Sequence, residues 1–125
     1  MVKKIMIVDD DPGVVYTVKQ GIEGIDPDYE ITPIENGRKC LEILEKGNLP
    51  DLLLLDIMMP DMNGWEIHQE VRKKISSTLP IVFLTARTDR IAKNAGDFLG
   101  DNYIEKPFKI SELKERLDRI LDKKE

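Results

Sequence analysis

Cysteine is almost absent. Cys40 is the only one in the 125 residues, which excludes an internal disulfide and a thiolate metal cluster and points to a reducing compartment. No apolar run approaches the ~20 residues needed to cross a bilayer as a helix. An excess of positive charge is missing too: the net charge is -5, so bulk electrostatics give no reason to expect nucleic acid or an anionic membrane as partner. Met1-Val2-Lys3-Lys4 passes straight into a strand-like run, too short for a signal peptide, and the expected location is the cytoplasm. No repeat, low-complexity stretch or linker divides the chain. Its length suits one core, so residues 1–125 are expected to form a single domain.

What is present is an ordinary globular balance, 41% hydrophobic and 34% charged, arranged as short apolar runs alternating with helical stripes. Ile5-Met6-Ile7-Val8 stops at Asp9-Asp10-Asp11 and reads as a strand buried on both faces. Pro12 opens a helix capped by Asp11, with Val14, Val15, Val18 and Ile22 on one side and Gly24 as its stop. Tyr29 to Ile34 is a shorter, more polar strand, expected near an edge. Cys40, Leu41, Ile43 and Leu44 stripe a second helix ending near Gly47. Leu52-Leu53-Leu54-Leu55 is the most hydrophobic strand, expected at the centre, and it stops at Asp56. A loop with Pro60, Asp61, Asn63 and Gly64 leads to a third helix with Ile67, Val71 and Ile75 inward. Ile81-Val82-Phe83-Leu84 is a fourth strand ending at Thr85. Ile91, Ala92 and Ala95 suggest a fourth helix, which Gly96 weakens. Tyr103-Ile104 marks a fifth strand ending before Lys106-Pro107. Leu113, Leu117, Ile120 and Leu121 stripe a last helix running nearly to Lys124. Five strands alternating with helices imply a parallel α/β sheet covered on both faces, with right-handed crossovers.

In such a sheet the carboxyl ends of the strands share one edge, where open α/β folds put their ligand sites. Asp9, Asp10 and Asp11 follow the first strand, Asp56 the third, Thr85 the fourth and Lys106 the fifth. Carboxylates gathered there repel one another and are costly to bury. A hard divalent cation, Mg²⁺ with its preference for oxygen ligands, resolves that cost, and Lys106 adds a fixed positive point. A carboxylate, a cation, a lysine and a hydroxyl suit phosphoryl transfer to the carboxylate. An Asp at a strand end taken alone is most simply a turn or cap residue; it is their placement on one edge that favours chemistry.

Ile7-Val8-Asp9-Asp10-Asp11, the run Leu55-Asp56-Ile57-Met58-Met59-Pro60-Asp61-Met62-Asn63-Gly64, then Leu84-Thr85-Ala86-Arg87, and finally Lys106-Pro107-Phe108 resemble, in order and near-family spacing, the receiver domains of response regulators, of the chemotaxis-regulator type. The resemblance covers essentially the whole chain. It implies a flavodoxin-like, doubly wound five-stranded parallel sheet of order 2-1-3-4-5. It implies a two-component phosphorelay function, with Mg²⁺-dependent transfer from the phosphohistidine of a sensor histidine kinase, or from a phosphotransfer protein, to Asp56. Carried over residue by residue, Asp10 is a direct metal ligand with Asp56 and the Met58 backbone carbonyl, and Asp9 acts on the metal through water. Lys106 contacts the phosphoryl oxygens, and its bond to Pro107 is cis, aiming the lysine inward. Thr85 is the switch hydroxyl and Tyr103 the switch aromatic. The output is contact with a downstream protein, through the face of the fourth helix, fifth strand and fifth helix. The same face could hold a weak homodimer. The separation of Thr85 and Lys106 is about one residue shorter than the family usually has, and Gly100-Asp101-Asn102-Tyr103 stands where an extra residue is common. Met59 and Thr88 flank the acceptor and bear on phosphoryl lifetime.

Other residues read more plainly. Asp11 is first a helix cap, and Pro60 and Gly64 shape the loop. His68 reads as a surface residue, Cys40 as packing, Trp65 as a partly buried packing residue, and Met58, Met59 and Met62 as loop lining. The charges from Lys109 to Glu125 read as a solvated helix face. Three other functions fit the sequence less well. A receiver-like module that is never phosphorylated sits poorly with Asp10, Asp56, Thr85 and Lys106 all present. A flavin carrier of the related fold would want a Ser/Thr/Gly-rich phosphate loop after the first strand, where Asp9 to Asp11 would repel the flavin phosphate. An aspartyl phosphatase would turn over an external phosphomonoester, whereas a receiver phosphorylates and dephosphorylates only itself and is not an enzyme in the ordinary sense.

Overall fold

The computed structural model describes residues 2–86 and 103–123. Five parallel strands, β1 (Lys3–Val8), β2 (Tyr29–Ile34), β3 (Leu52–Asp56), β4 (Ile81–Ala86) and β5 (Tyr103–Lys106), pair in the order β2-β1-β3-β4-β5. The helices are α1 (Pro12–Ile25), α2 (Gly37–Glu45), α3 (Gly64–Glu70) and the C-terminal α4 (Ile110–Lys123). The helix expected over residues 88–100, with Thr88 and the run before Tyr103, lies outside the described residues.

The strand side chains alternate between two cores, as the two-residue period of a pleat requires. Ile5, Ile7, Leu52, Leu54, Val82 and Leu84 meet Val18 and Ile22 of α1 and Leu113, Leu117 and Leu121 of α4. Met6, Val8, Leu53, Leu55, Ile81 and Phe83 meet Cys40, Leu41 and Leu44 of α2, Ile67 of α3 and Val71 just after it. Leu52 to Leu55 are all 0% exposed, which makes β3 the central strand; each such side chain contributes roughly 1.5–3 kcal/mol of transfer free energy.

The Asp11 cap is as expected, and α2 has a cap of the same kind. Asp11 accepts from the Gly13 N–H at 2.9 Å with Pro12 in the first turn of α1, and Asn36 accepts from Lys39 N–H at 2.9 Å to start α2. Gly47, at φ 92, follows the end of α2 in the left-handed conformation that glycine adopts at no steric cost. Two details differ from the expectation. Helix α1 runs through Gly24 to Ile25, because a glycine inside an exposed turn costs only ~1 kcal/mol and tertiary packing outweighs it. After Glu70 the third helix does not continue as a regular α-helix: Val71–Ile75 widens into a π turn, with the Ser76 N–H donating to the Val71 carbonyl at 2.8 Å.

Candidate functional site

The parallel register builds the site. Val8 pairs with Leu55, Asp56 with Leu84, and Ala86 with Lys106, so the residues just beyond Val8 and those ending β3, β4 and β5 emerge on one edge. Carboxylate oxygens of Asp9, Asp10 and Asp56 lie within 4.8 Å of one another. Asp9 is 2% exposed and Asp56 6%, while Asp10 is open to solvent.

Lys106 Nζ donates to Asp9 Oδ2 at 2.8 Å and lies 3.5 Å from Asp56 Oδ1. The Asp9 carboxylate also accepts from the Asp11 N–H at 2.9 Å, so both its oxygens are engaged. One lysine thus faces two buried carboxylates with a third beside them. Burial, then the charge of Asp9, push the Asp56 carboxyl up to about 7 against the pull of Lys106, and Asp10 adds to the push. Burial alone would lower the Lys106 ammonium, but the carboxylates of Asp9 and Asp56 outweigh it and hold the group above its ordinary value. The Lys106-Pro107 peptide is cis, as expected.

The loop after Asp56 is positioned by backbone contacts that the sequence pattern did not reveal. The Ile57 N–H donates to the Leu84 carbonyl at 3.1 Å, and the Gly64 N–H to the Ile57 carbonyl at 3.0 Å. A Cβ on Gly64 would stand 2.7 Å from the carbonyl oxygen of Asp56 itself. Glycine is therefore required there for close approach to Asp56, a stronger constraint than shaping a turn. The only sign in the sequence was a glycine directly after a helix-capping asparagine. Asn63 caps α3 reciprocally with Glu66: its side chain accepts from the Glu66 N–H at 2.9 Å, and its N–H donates to the Glu66 carboxylate at 3.1 Å.

Thr85 is 1% exposed, and its hydroxyl donates to the Ala86 carbonyl at 3.3 Å. Tyr103 is half-buried against the core that contains Phe83, its strand partner, and its main-chain carbonyl accepts from Arg116 at 3.2 Å. The Met58 side chain is 66% exposed, whereas Met59 and Met62 pack against the core. Cys40 is buried beside Met6, which pushes its thiol up to about 12 and fits a packing role. Trp65 packs with its ring centroid 4.4 Å from that of Phe83. His68 corrects the surface reading. Its ring lies 5.5 Å from the same Phe83, half-buried, and burial together with Arg72 lowers its imidazole below the ordinary value. The aromatic ring of β4 offered it an apolar surface that a helical stripe alone could not show.

The residues present therefore fit an oxygen-liganded cation beside a buried carboxylate. The chain is 37% identical over 119 residues to response regulator ArlR of Staphylococcus saprophyticus, covering 94% of this chain and 52% of that protein. It spans about half the length of most of the first curated relatives it matches, and 7% of histidine kinase P4 of Formosa agariphila. Its fold superposes on a CheY-like response regulator receiver domain protein of Methanospirillum hungatei at a TM-score of 0.84, with 28% identity, 98% of this chain and 96% of that one covered. Chemotaxis protein CheY4 of Vibrio cholerae matches at 0.80, also with 28% identity, over 95% and 98% of the two chains. The family model for the response regulator receiver domain matches residues 5–118, and the chain belongs to that family, the receiver domains of two-component response regulators.

Proposed function

We propose that Asp56 is the phosphoacceptor and that residues 1–125 act as one receiver unit. The observation that carries this is the buried Asp56 carboxylate, crowded by Asp9 and Asp10 and 3.5 Å from the Lys106 ammonium. A phosphohistidine on a sensor histidine kinase or phosphotransfer protein is the donor. An Asp56 oxygen forms the new O–P bond as the N–P bond breaks, and the electron pair leaves with the imidazole nitrogen. Lys106 then neutralises charge on the transferred oxygens. Among the described residues, three carboxylates against one lysine leave excess negative charge, which fits Mg²⁺. Asp10, Asp56 and the Met58 backbone carbonyl would hold it and Asp9 would act through water. Bound there, the ion would supply positive charge to the phosphoryl oxygens.

The chain turns over only its own phosphoryl group, works in the cytoplasm, and signals by contact with a downstream protein, without direct nucleic-acid or membrane binding. Its net charge of -5 supports this reading, as does the lack, among the described residues, of any helix long and apolar enough to cross a membrane. The test is acetyl phosphate labelling followed by intact mass. Wild type gains one phosphoryl mass in Mg²⁺ and Asp56→Asn gains none. Asp10→Asn needs more Mg²⁺ than wild type, and Asp11→Asn, whose side chain caps α1, does not. Labelling of Asp56→Asn equal to wild type would overturn the assignment.

Thr85 and Tyr103 are the transmitting pair in this reading. The buried Thr85 hydroxyl sits one residue from the end of β4, and Tyr103 opens the neighbouring strand. A new dianionic group on Asp56 gives that hydroxyl a stronger acceptor than the Ala86 carbonyl, and the resulting space draws the Tyr103 ring. Amide shift maps with beryllofluoride should show wild-type changes reaching β5 and α4. Thr85→Ala should keep the changes near Asp10, Asp56 and Lys106 and lose most of the remote ones. Identical maps would remove Thr85 from the mechanism.

A further inference from the structure

Strand β2 is an outer edge of the sheet, and an open edge is a template for pairing with another chain. The Asp28 carbonyl accepts from Lys3 N–H of β1. Main-chain groups of alternate residues point to alternate sides of a strand, so Glu30, Thr32 and Ile34 also face β1. Tyr29, Ile31 and Pro33 face outward. Their outward N–H groups are spoken for one by one. That of Tyr29 donates to the Asp26 carbonyl at 3.1 Å, and Pro33 has none. Ile31 is the one residue of β2 that could exchange both an N–H and a C=O with a partner strand. Its N–H donates to Glu23 Oε2 at 2.8 Å, and its carbonyl accepts from Lys19 Nζ at 2.8 Å.

Lys19 and Glu23 are one turn apart on α1 and bonded to each other at 2.9 Å. Together they present to Ile31 one donor and one acceptor, which is what a neighbouring strand would present. The Ile31 N–H is the largest influence holding the Glu23 carboxyl below its ordinary value, with Lys19 assisting against burial. An equally short pair, Lys74 with Glu70 at 2.9 Å, also links neighbouring turns of a helix. What sets the Lys19–Glu23 pair apart is its grip on a strand edge.

We propose that Lys19 and Glu23 form an edge guard that stops β2 from pairing with β2 of a second copy of this chain. The pairing it prevents is antiparallel and centred on Ile31, where two copies would exchange the two bonds now made to the guard. Pro33 confines that pairing to the neighbourhood of Ile31, so blocking this single residue closes the edge.

The test compares Lys19→Ala/Glu23→Ala with the matched control Lys74→Ala/Glu70→Ala, using circular dichroism to check folding, amide exchange at Ile31, and sedimentation over a range of concentrations. The guard variant should exchange the Ile31 amide about tenfold faster or more at low concentration, since a hydrogen bond to a charged group is lost. It should associate as concentration rises, with Ile31 exchange slowing again in the associated form. The control and wild type should change in neither respect. Glu23→Gln keeps an acceptor for Ile31 and should behave as wild type, and Glu23→Ala takes the place of the double variant if that one does not fold. Faster Ile31 exchange with the variant monomeric at every concentration would overturn the proposal, as would association that leaves Ile31 exchange fast.

Discussion

The two ends of the sheet are both rich in charge, and they treat it oppositely. At the amino end, Tyr29 of β2 is buried, and its hydroxyl donates to Asp118 of α4. Lys114 bonds Asp118 at 2.7 Å and lies 3.6 Å from Asp26, and Lys3 lies 3.7 Å from Asp118. The two lysines also stand 5.0 and 5.8 Å from the centre of the Tyr29 ring. Burial raises Asp118, but Lys114, Tyr29 and Lys3 more than compensate and leave its carboxyl below the ordinary value. At the carboxyl end, Lys106 is the one cation among the described residues that serves Asp9 and Asp56 while Asp10 crowds in, and the Asp56 carboxyl is driven up. One end spends its charges on holding α4 to the sheet. The other, among the described residues, keeps a deficit of positive charge that fits a cation and a phosphoryl group.

The sharpest way to break this contrast is to remove Lys106 from the carboxyl end. In chelator at pH 7, Lys106→Met leaves Asp9 buried with an unmatched charge. Urea unfolding should show a loss of about 3 kcal/mol, and the loss should shrink at pH 4, where the Asp56 carboxyl that Lys106 also faces is protonated. A loss equal at both pH values would mean that Lys106 acts through packing alone.

Asp56→Asn tests the opposite sign. Folding raises this carboxyl from its ordinary value to about 7. Wild type therefore carries no penalty below the unfolded value, loses stability as pH rises between the two, and bears the whole penalty above about 7. Asparagine does not ionise. The metal-free variant should match wild type near pH 4 and exceed it at pH 8 by on the order of 1–3 kcal/mol. Saturating Mg²⁺ should close most of that gap by stabilising wild type alone. A variant less stable than wild type at pH 8 would show that the carboxylates of the site are already compensated.

The smallest effect belongs to the amino end. Asp118 is lowered by folding, so it contributes stability above its unfolded value that is lost as pH falls through the folded one. Asp118→Asn should cost about 1 kcal/mol at pH 7, measured by thermal melting, and little in strong acid. A gain at pH 7 would make the two ends alike.

Much of this was legible in the residues. Leu52 to Leu55 announced a strand apolar on both faces, and a strand buried on both faces is central. Asp11 before Pro12 announced a helix start, because caps act through local hydrogen bonds. Asp9, Asp10, Asp56 and Lys106 were identified by their position after apolar runs. The π turn at Val71–Ile75 was not legible, since Ile67, Val71 and Ile75 carry a stripe that fits an unbroken helix. Nor was the place of His68 on Phe83, because that contact joins two elements whose packing angle no periodicity encodes.

The sequence by itself determined which residues could be strands, where they stop, and which polar groups stand at each stop. These depend on side-chain hydrophobicity and on hydrogen bonds spanning a few residues. Only the tertiary structure decided how the polar groups divide among partners: that Lys106 bonds Asp9 at 2.8 Å while standing 3.5 Å from Asp56, that Gly64 lies against the Asp56 carbonyl, and that Glu23 and Lys19 close the edge at Ile31. Each depends on the register between elements distant in the chain, and that register is set by how two cores pack on the faces of one sheet.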